Sequence, residues 1–160
     1  MTEQSLEESL EGFERFDVGE FVKGLAGHKA NATGVVTPDG EFVELPGMIG
    51  IDDRGDLPQS AYTQAHNVLY NIAKIIMNKA GLSGANAQIE ALKFITSITS
   101  FVVDLSKNEG DVYKACWDYE LSTARAIVGV SELPRGALVQ MVARAYIPNY
   151  IPKKHGDQHS

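Results

Sequence analysis

The segment from Ser122 to Tyr146 carries the most restrictive pattern in this sequence. The β-branched run from Ile127 to Val130 is typical of a strand, and the residues from Ala137 to Tyr146 favour a second one. Between them, Leu133 to Gly136 (Leu-Pro-Arg-Gly) has the composition of a turn. We therefore predict a strand, a turn and a strand in this order, with one cation, Arg125, at the entrance.

A second pattern predicts a long helix that begins after Ser60 and ends at Gly81. Ser60 is a suitable N-cap, and Gly81 is a suitable C-cap because glycine accepts a left-handed backbone. A single apolar stripe at helical spacing indicates that this helix packs on a sheet. The stripe consists of Val68, Leu69, Ile72, Ile75 and Ile76. His66 lies near the stripe, where a lone histidine is more often structural than catalytic.

The remaining elements complete an α+β pattern. Thr33–Val36 and Glu41–Leu45 flank Thr37-Pro-Asp-Gly40, which predicts a hairpin because proline presets φ and glycine accepts a positive φ. The run from Leu92 to Asp104 is rich in β-formers and predicts a long strand. A short aromatic helix is expected from Asp111 to Glu120.

The N-terminal residues 2–24 leave two interpretations open. Six glutamates alternate there with apolar residues, and the apolar spacing of four, three and three from Leu6 to Phe16 is that of an amphipathic helix. The alternative is a partly ordered acidic arm.

Two polar segments resemble metal sites only superficially. Asp52 to Asp56 lacks the acidic spacing and the final glutamate of an EF-hand loop, so we predict a solvated turn. His155 and His159 in the tail would share a helix face, but Gly156 disfavours that helix and a frayed terminus is expected. No metal site is predicted.

Charge and cysteine content limit the possible functions. The net charge of -7 and the pI near 5.0, with scattered lysines and arginines, argue against nucleic-acid binding. The single cysteine, Cys116, excludes an intramolecular disulfide and favours a reducing compartment. No apolar run approaches the roughly 20 residues of a membrane span, and no signal-peptide pattern is present, so we expect a cytoplasmic protein without membrane contact.

The segment from Arg125 to Val139 resembles a known signature. Its pattern, Arg-x-x-Val-x-Val-x-x-Leu-Pro-Arg-Gly-Ala-Leu-Val, is similar to the C-terminal motif of the Rid (reactive intermediate deaminase, YjgF-like) family. The likeness is strong over residues 122–147, is collinear from about residue 27, and has no counterpart in residues 1–26. It implies an acidic N-terminal extension (1–26), a Rid-like domain (27–150) and a polar C-terminal tail (151–160).

The resemblance implies a fold, an assembly and a set of site residues. The fold would be a mixed β-sheet with two helices on one face, chorismate-mutase-like, in a homotrimer with clefts between subunits. The family arginine, here Arg125, holds the carboxylate of a 2-imino or 2-enamino acid. Gln140 stands where deaminating members have a glutamate that places the attacking water. Gly47, Lys29 and Tyr113 fall at further substrate-binding positions.

The function implied by the resemblance is hydrolytic deamination without a cofactor. The substrate would be a small carboxylate-bearing imine or enamine, either a 2-imino acid or a 2-aminomuconate-like compound with a second acid group. Two alternatives stay open because Gln140 cannot take a proton from water near neutral pH. The protein could bind a small carboxylate without converting it, as a metabolite-responsive partner, or the trimer could be structural.

Overall fold

The computed structural model describes residues 12–28 and 30–149. Within them the chain forms seven strands and three α-helices, joined by short 3-10 turns. In chain order the elements are β1 (Phe13–Asp17), β2 (Asn31–Thr37), β3 (Gly40–Glu44), β4 (Met48–Ile49), α1 (Ala61–Ala80), α2 (Ala87–Leu92), β5 (Ile95–Val103), α3 (Leu105–Asp118), β6 (Ala124–Val130) and β7 (Val139–Pro148).

The strands form one mixed sheet in the order β1-β2-β3-β7-β5-β6, with β4 also paired to β7. Only β5 and β6 run parallel. The helices pack on one face, where α1 contacts β7 and α3 contacts β5 and β6. The predicted α+β fold, a mixed sheet with its helices on one face, is therefore confirmed, with α2 as an additional short helix. Trimerisation stays a prediction.

The connection between β6 and β7 does not form a hairpin. The two strands are not paired to each other, because β5 lies between them and pairs with both. The predicted turn forms a single 3-10 turn, Pro134–Gly136, in which Arg135 adopts a left-handed backbone with φ of 59°. This connection therefore carries the chain across β5 and reverses its direction.

The predicted hairpin and the predicted long helix are both present. In the β2–β3 turn the Thr37 hydroxyl donates to the Gly40 carbonyl and accepts from the Gly40 amide. The Ser60 side chain caps α1 by accepting from the Thr63 amide at 3.0 Å, and Gly81 ends the helix with φ of 68°. The apolar stripe of α1 is fully buried. Local capping and the apolar stripe thus set the position of α1.

The predictions for the other elements need adjustment. The strand expected from Leu92 is β5, which begins at Ile95 because Leu92 still belongs to α2. The aromatic helix expected from Asp111 is the end of α3, which begins at Leu105. Asp52 accepts from the amides of Arg54 and Asp56, so this segment is the predicted turn.

The amphipathic helix, one of the two interpretations of the N-terminal segment, is wrong for its described part. Phe13–Asp17 form the edge strand β1, which pairs antiparallel with β2. Val18 and Val22, which follow, are buried in the core. Residues 1–11 and the tail from residue 150 lie outside the described residues, and the domain boundaries stay predictions. None of the described helices is long and apolar enough to cross a bilayer.

Three amides on α1 hold the segment that leads from β4 into the helix. The Gln64 amide donates to the Pro58 carbonyl at 2.6 Å and accepts from the Leu138 amide at 2.8 Å. Asn67 donates to the carbonyl of residue 50 at 3.2 Å, and Asn71 donates to that of residue 51 at 2.9 Å. We call Gln64, Asn67 and Asn71 the amide staple, because together they fix this segment against α1 and join α1 to Leu138, the residue before β7.

Candidate functional site

Arg125 lies on β6, the edge strand, and projects on the helix side of the sheet. It pairs in register with Ile98 of β5, which pairs with Ala143 of β7. Ile98 and Ala143 are both buried in the core, and side chains in register share a face of a sheet. Because β6 has no further neighbour in the described sheet, Arg125 is exposed at its margin.

A cleft of about 560 Å³ opens beside Arg125, between the end of α3 and the start of β6. We call it the Arg125 cleft; it is lined by Tyr113, Trp117, Glu120, Leu121, Ser122 and Arg125. Tyr113 and Arg125 also line a smaller adjoining cavity of about 170 Å³, which includes Cys116. The structure thus brings together two of the predicted site residues, Arg125 and Tyr113.

Arg125 has no carboxylate partner within salt-bridge distance among residues 12–28 and 30–149. By contrast, Arg144 pairs with Glu44 at 2.8 Å. Burial raises the pKa of the Cys116 thiol above its usual value, and the charge and hydrogen bonding of the Arg125 guanidinium oppose that rise. The guanidinium can therefore receive an external acid, which it would grip by its fork of donors.

The end of α3 that carries the cleft is anchored to α1 by polar aromatic contacts. The Tyr62 hydroxyl donates to Asp118, and this hydrogen bond raises the pKa of Tyr62. The Tyr119 hydroxyl lies 3.4 Å from Nδ1 of His66, and burial raises the pKa of Tyr119 to about 12. His66 thus has a structural contact in this cluster, as the sequence indicated.

Gln140 and Gly47 form a second group of predicted site residues. Gln140 is half-buried on β7, paired with Phe101 of β5 and with Ile49 of β4. A Cβ atom placed on Gly47 would lie only 2.5 Å from Nε2 of Gln140. The absence of a side chain at Gly47 is therefore what lets the Gln140 amide lie over this backbone.

The two groups lie on opposite faces of the sheet. Met141 and Ala143 of β7 are buried on the helix side, so Gln140, which alternates with them, projects to the other face. Arg125 shares the helix side with Ala143. A single chain therefore does not bring Arg125 and Gln140 together. Lys29, the remaining predicted site residue, lies outside the described residues.

Several residues of the Arg125 cleft were not predicted as site residues: Trp117, Glu120, Leu121 and Ser122. Trp117 was detectable in principle, since it follows Tyr113 by one helical turn and so shares its face of α3. Glu120 and Ser122 follow the helix and carry no periodic signal. In the described part of the chain, no three His, Cys, Asp or Glu side chains are grouped closely enough to hold a metal ion.

Comparisons with known proteins agree with this architecture. The family model for endoribonuclease L-PSP matches residues 30–147. Among solved structures, RidA from an Antarctic Psychrobacter bacterium is 26% identical with a TM-score of 0.57, over 71% of this chain and 85% of that one. The E. coli YjgF gene product is 24% identical with a TM-score of 0.54, over 71% of this chain and 84% of that one.

A third solved structure contains a ligand. It is E. coli TdcF with bound serine, 26% identical with a TM-score of 0.52, over 71% of this chain and 84% of that one. No curated protein matches the sequence. The matched segment of residues 30–147 contains both candidate residue groups and, apart from β1 and the last residue of β7, every strand of the described sheet. The chain therefore belongs to the endoribonuclease L-PSP family, the family of the YjgF-like or Rid proteins.

Proposed function

We propose that the protein is a hydrolytic deaminase of a small-molecule imine or enamine that carries a carboxylate. The observation that carries this proposal is Arg125, a guanidinium without a carboxylate partner among the described residues, placed in an open cleft. An arginine without a carboxylate partner suits a bidentate grip on a substrate acid. Its position matches that of the arginine in the Rid motif.

The reaction needs water, a proton and orientation, but no redox partner. The water oxygen adds to the C=N carbon while one water proton moves to nitrogen; the second water proton then passes from the new hydroxyl to nitrogen as the C–N bond breaks, which gives ammonia and a 2-oxo acid. An enamine first takes a proton on carbon, gives one up from nitrogen and so becomes an imine. Arg125 holds the carboxylate, which fixes the imine carbon relative to the water. Gln140 orients that water through hydrogen bonds, and the protons pass between water and substrate.

The opposite placement of the two groups supports a site between subunits. Arg125 of one chain and Gln140 with Gly47 of another can face one cleft only if two copies associate. The sheet face that carries Gln140 also exposes large apolar side chains, which favours its burial against another copy. These are Phe13, Val35, Phe42, Val128 and Val142. We propose a homotrimer with three such clefts.

A second candidate function is carboxylate binding without turnover. The specific observation is Gln140, an amide where deaminating relatives have a glutamate, since an amide accepts no proton from water at neutral pH. In this case the trimer acts as a metabolite-responsive or structural partner of another protein. Ribonuclease activity, which the family description names, is disfavoured by the net charge of -7.

The test is ammonia release from 2-imino acids generated in place by an amino-acid oxidase. We expect release above the uncatalysed background, a loss of about 100-fold or more in kcat/KM in Arg125→Ala, and partial retention in Arg125→Lys, which keeps a charge without the fork. Gln140→Glu is expected to raise the rate. Absence of release for every imine tested, in wild type and in Gln140→Glu, would overturn the deaminase and leave the binding role.

A further inference from the structure

The Arg125 cleft has a larger and more aromatic wall than a short-chain imino acid requires. The Trp117 ring is 83% exposed, and Tyr113 is 53% exposed on the same face of α3. Leu121, in contrast, is buried at the inner wall of the cleft. The cleft thus combines one cation with two exposed aromatic rings and an apolar wall.

Neither ring is held by another aromatic or cationic side chain of the described structure. Among residues 12–28 and 30–149, Trp117 and Tyr113 take part in no ring pair and no cation–π contact. Exposed Trp and Tyr side chains offer large contact areas at a low cost in side-chain entropy, which is why they are enriched at binding surfaces. Their place beside an arginine that lacks a carboxylate partner among the described residues indicates a ligand with an acid at one end and an apolar body.

We propose that the Arg125 cleft selects 2-imino acids with an aromatic or large aliphatic side chain, and that Trp117 and Tyr113 determine this specificity. This inference rests on the proposed deaminase function. The carboxylate binds Arg125, and the side chain packs on the two rings. A volume of about 560 Å³ lies within the ~300–1,000 Å³ of pockets that hold drug-sized ligands. This is the volume of the cleft in one chain, before Gln140 and Gly47 of a neighbouring subunit face it in the proposed trimer.

Glu120 limits which substrate side chains the cleft can accept. Its side chain lines the same cleft, and it has no ion-pair partner among the described residues. A second substrate carboxylate near Glu120 would meet a like charge, whereas a neutral apolar side chain would not. The Arg125 cleft therefore favours monocarboxylic imines over dicarboxylic ones of the 2-aminomuconate type.

Turnover gives the first test. The imines of phenylalanine, leucine, 2-aminobutyrate and glutamate are generated by amino-acid oxidases or dehydrogenases, and ammonia release is compared at equal imine concentration. We expect kcat/KM for the phenylalanine and leucine imines to exceed that for the 2-aminobutyrate imine by at least about tenfold, with the glutamate imine lowest. Trp117→Ala is expected to bring the ratio of large to small substrates close to one, and Trp117→Phe to restore most of it.

Lys107→Ala is the matched control, since Lys107 is exposed on α3 and does not line the cleft. It is expected to leave the ratio unchanged. A wild-type preference for the small imine, or a ratio that Trp117→Ala does not alter, would overturn the specificity while the deaminase function stands. No release from any of the four imines would instead contradict the deaminase function.

Ligand binding gives the second test, and it remains informative even if the protein releases no ammonia from any imine. Trp117 is the single tryptophan of the chain, so its fluorescence reports on this cleft directly. We expect 3-phenylpropanoate to change the emission with an affinity at least about tenfold higher than that of butanoate. The response is expected to vanish in Arg125→Ala. Equal affinities, or a response that persists in Arg125→Ala, would overturn the cleft as an aromatic carboxylate site.

Discussion

The segment before α1 and the wall of the Arg125 cleft are built in opposite ways. In the amide staple, Gln64 is 2% exposed and both ends of its amide are hydrogen-bonded. In the cleft, Trp117 is 83% exposed and takes part in no ring contact with the described residues. Buried polar side chains thus fix the backbone between Gly50 and Pro58, whereas large side chains beside Arg125 are left exposed, as the proposed ligand site requires.

The largest loss of stability is expected from Gly50→Ala, which places a methyl group in the segment that the amide staple holds. A Cβ atom on Gly50 would lie 2.2, 2.5 and 2.6 Å from three backbone atoms of Gln64, which cannot move without displacing α1. We expect a loss of more than about 4 kcal/mol in the free energy of unfolding, beyond the ~1–3 kcal/mol usual for overpacking. Urea denaturation followed by circular dichroism measures it.

Gly110→Ala is the matched control for this substitution. Gly110 lies within α3, and a Cβ atom there meets nothing within 4 Å. Alanine is expected to stabilise the protein by about 0.5–1 kcal/mol, because glycine is unfavourable within a helix. If Gly50→Ala were as stable as wild type, the backbone at Gln64 could move to admit the methyl group. The segment before α1 would then not be the rigidly fixed region of the molecule.

A smaller loss is expected from Gln64→Leu. Leucine has a similar volume but leaves the Leu138 amide and the Pro58 carbonyl without their partner. Each unsatisfied buried group costs about 1–3 kcal/mol, partly offset by the apolar side chain, so we expect a net loss of about 2–3 kcal/mol. Gln59→Leu, on an exposed glutamine, is expected to change stability by less than about 0.5 kcal/mol. Equal effects of the two substitutions would argue against the staple.

Near neutral pH the smallest effect is expected at the joint between α1 and the cleft, where a change in stability develops only at alkaline pH. Burial raises the pKa of Tyr119 from 10.0 to about 12. Between these values the unfolded chain loses the Tyr119 proton while the folded chain keeps it, so this contribution to stability is lost as pH rises from 10 towards 12. The slope reaches at most about 1.4 kcal/mol per pH unit.

Tyr119→Phe removes this component, so its curve of unfolding free energy against pH is expected to be flatter than that of wild type above pH 10. Tyr113→Phe, which removes an exposed hydroxyl, serves as the control. Urea unfolding at pH 9, 10, 11 and 12 gives the two difference curves. Identical slopes for wild type and Tyr119→Phe would mean that the Tyr119 hydroxyl titrates in the folded protein as it does in the unfolded chain.

Local patterns in the sequence predict much of this fold. The apolar stripe of α1 and its caps at Ser60 and Gly81 depend only on residues of the helix and its two ends, so the local sequence is enough to predict them. The N-terminal segment shows the limit of such patterns, since its apolar spacing mimics a helix while pairing with β2 places Phe13–Asp17 in a strand. Tertiary pairing overrides local periodicity there, because one open edge of the sheet accepts any extended segment.

The candidate site was less predictable than the fold. The motif identified Arg125 and Gln140 by position, but the faces on which they lie depend on the connection that crosses β5. A strand pattern of alternating residues is the same for either face and for parallel or antiparallel pairing. The sequence also did not identify the aromatic wall as part of the site. A tryptophan in a helix is usually a packing residue, and only the structure shows that Trp117 is exposed.

The amide staple has one more consequence, for measurements in salt. Its three side chains carry no charge, so their hydrogen bonds respond neither to ionic strength nor to protonation near neutrality, whereas the exposed Lys74–Asp53 ion pair on the same segment is screened by salt. The exposed guanidinium of Arg125, in contrast, is screened over a Debye length of about 8 Å at 0.15 M salt. A salt series therefore separates the two regions: the hydrogen bonds of the amide staple stay constant, and any fall in affinity for an acid reports on the charges of the Arg125 cleft.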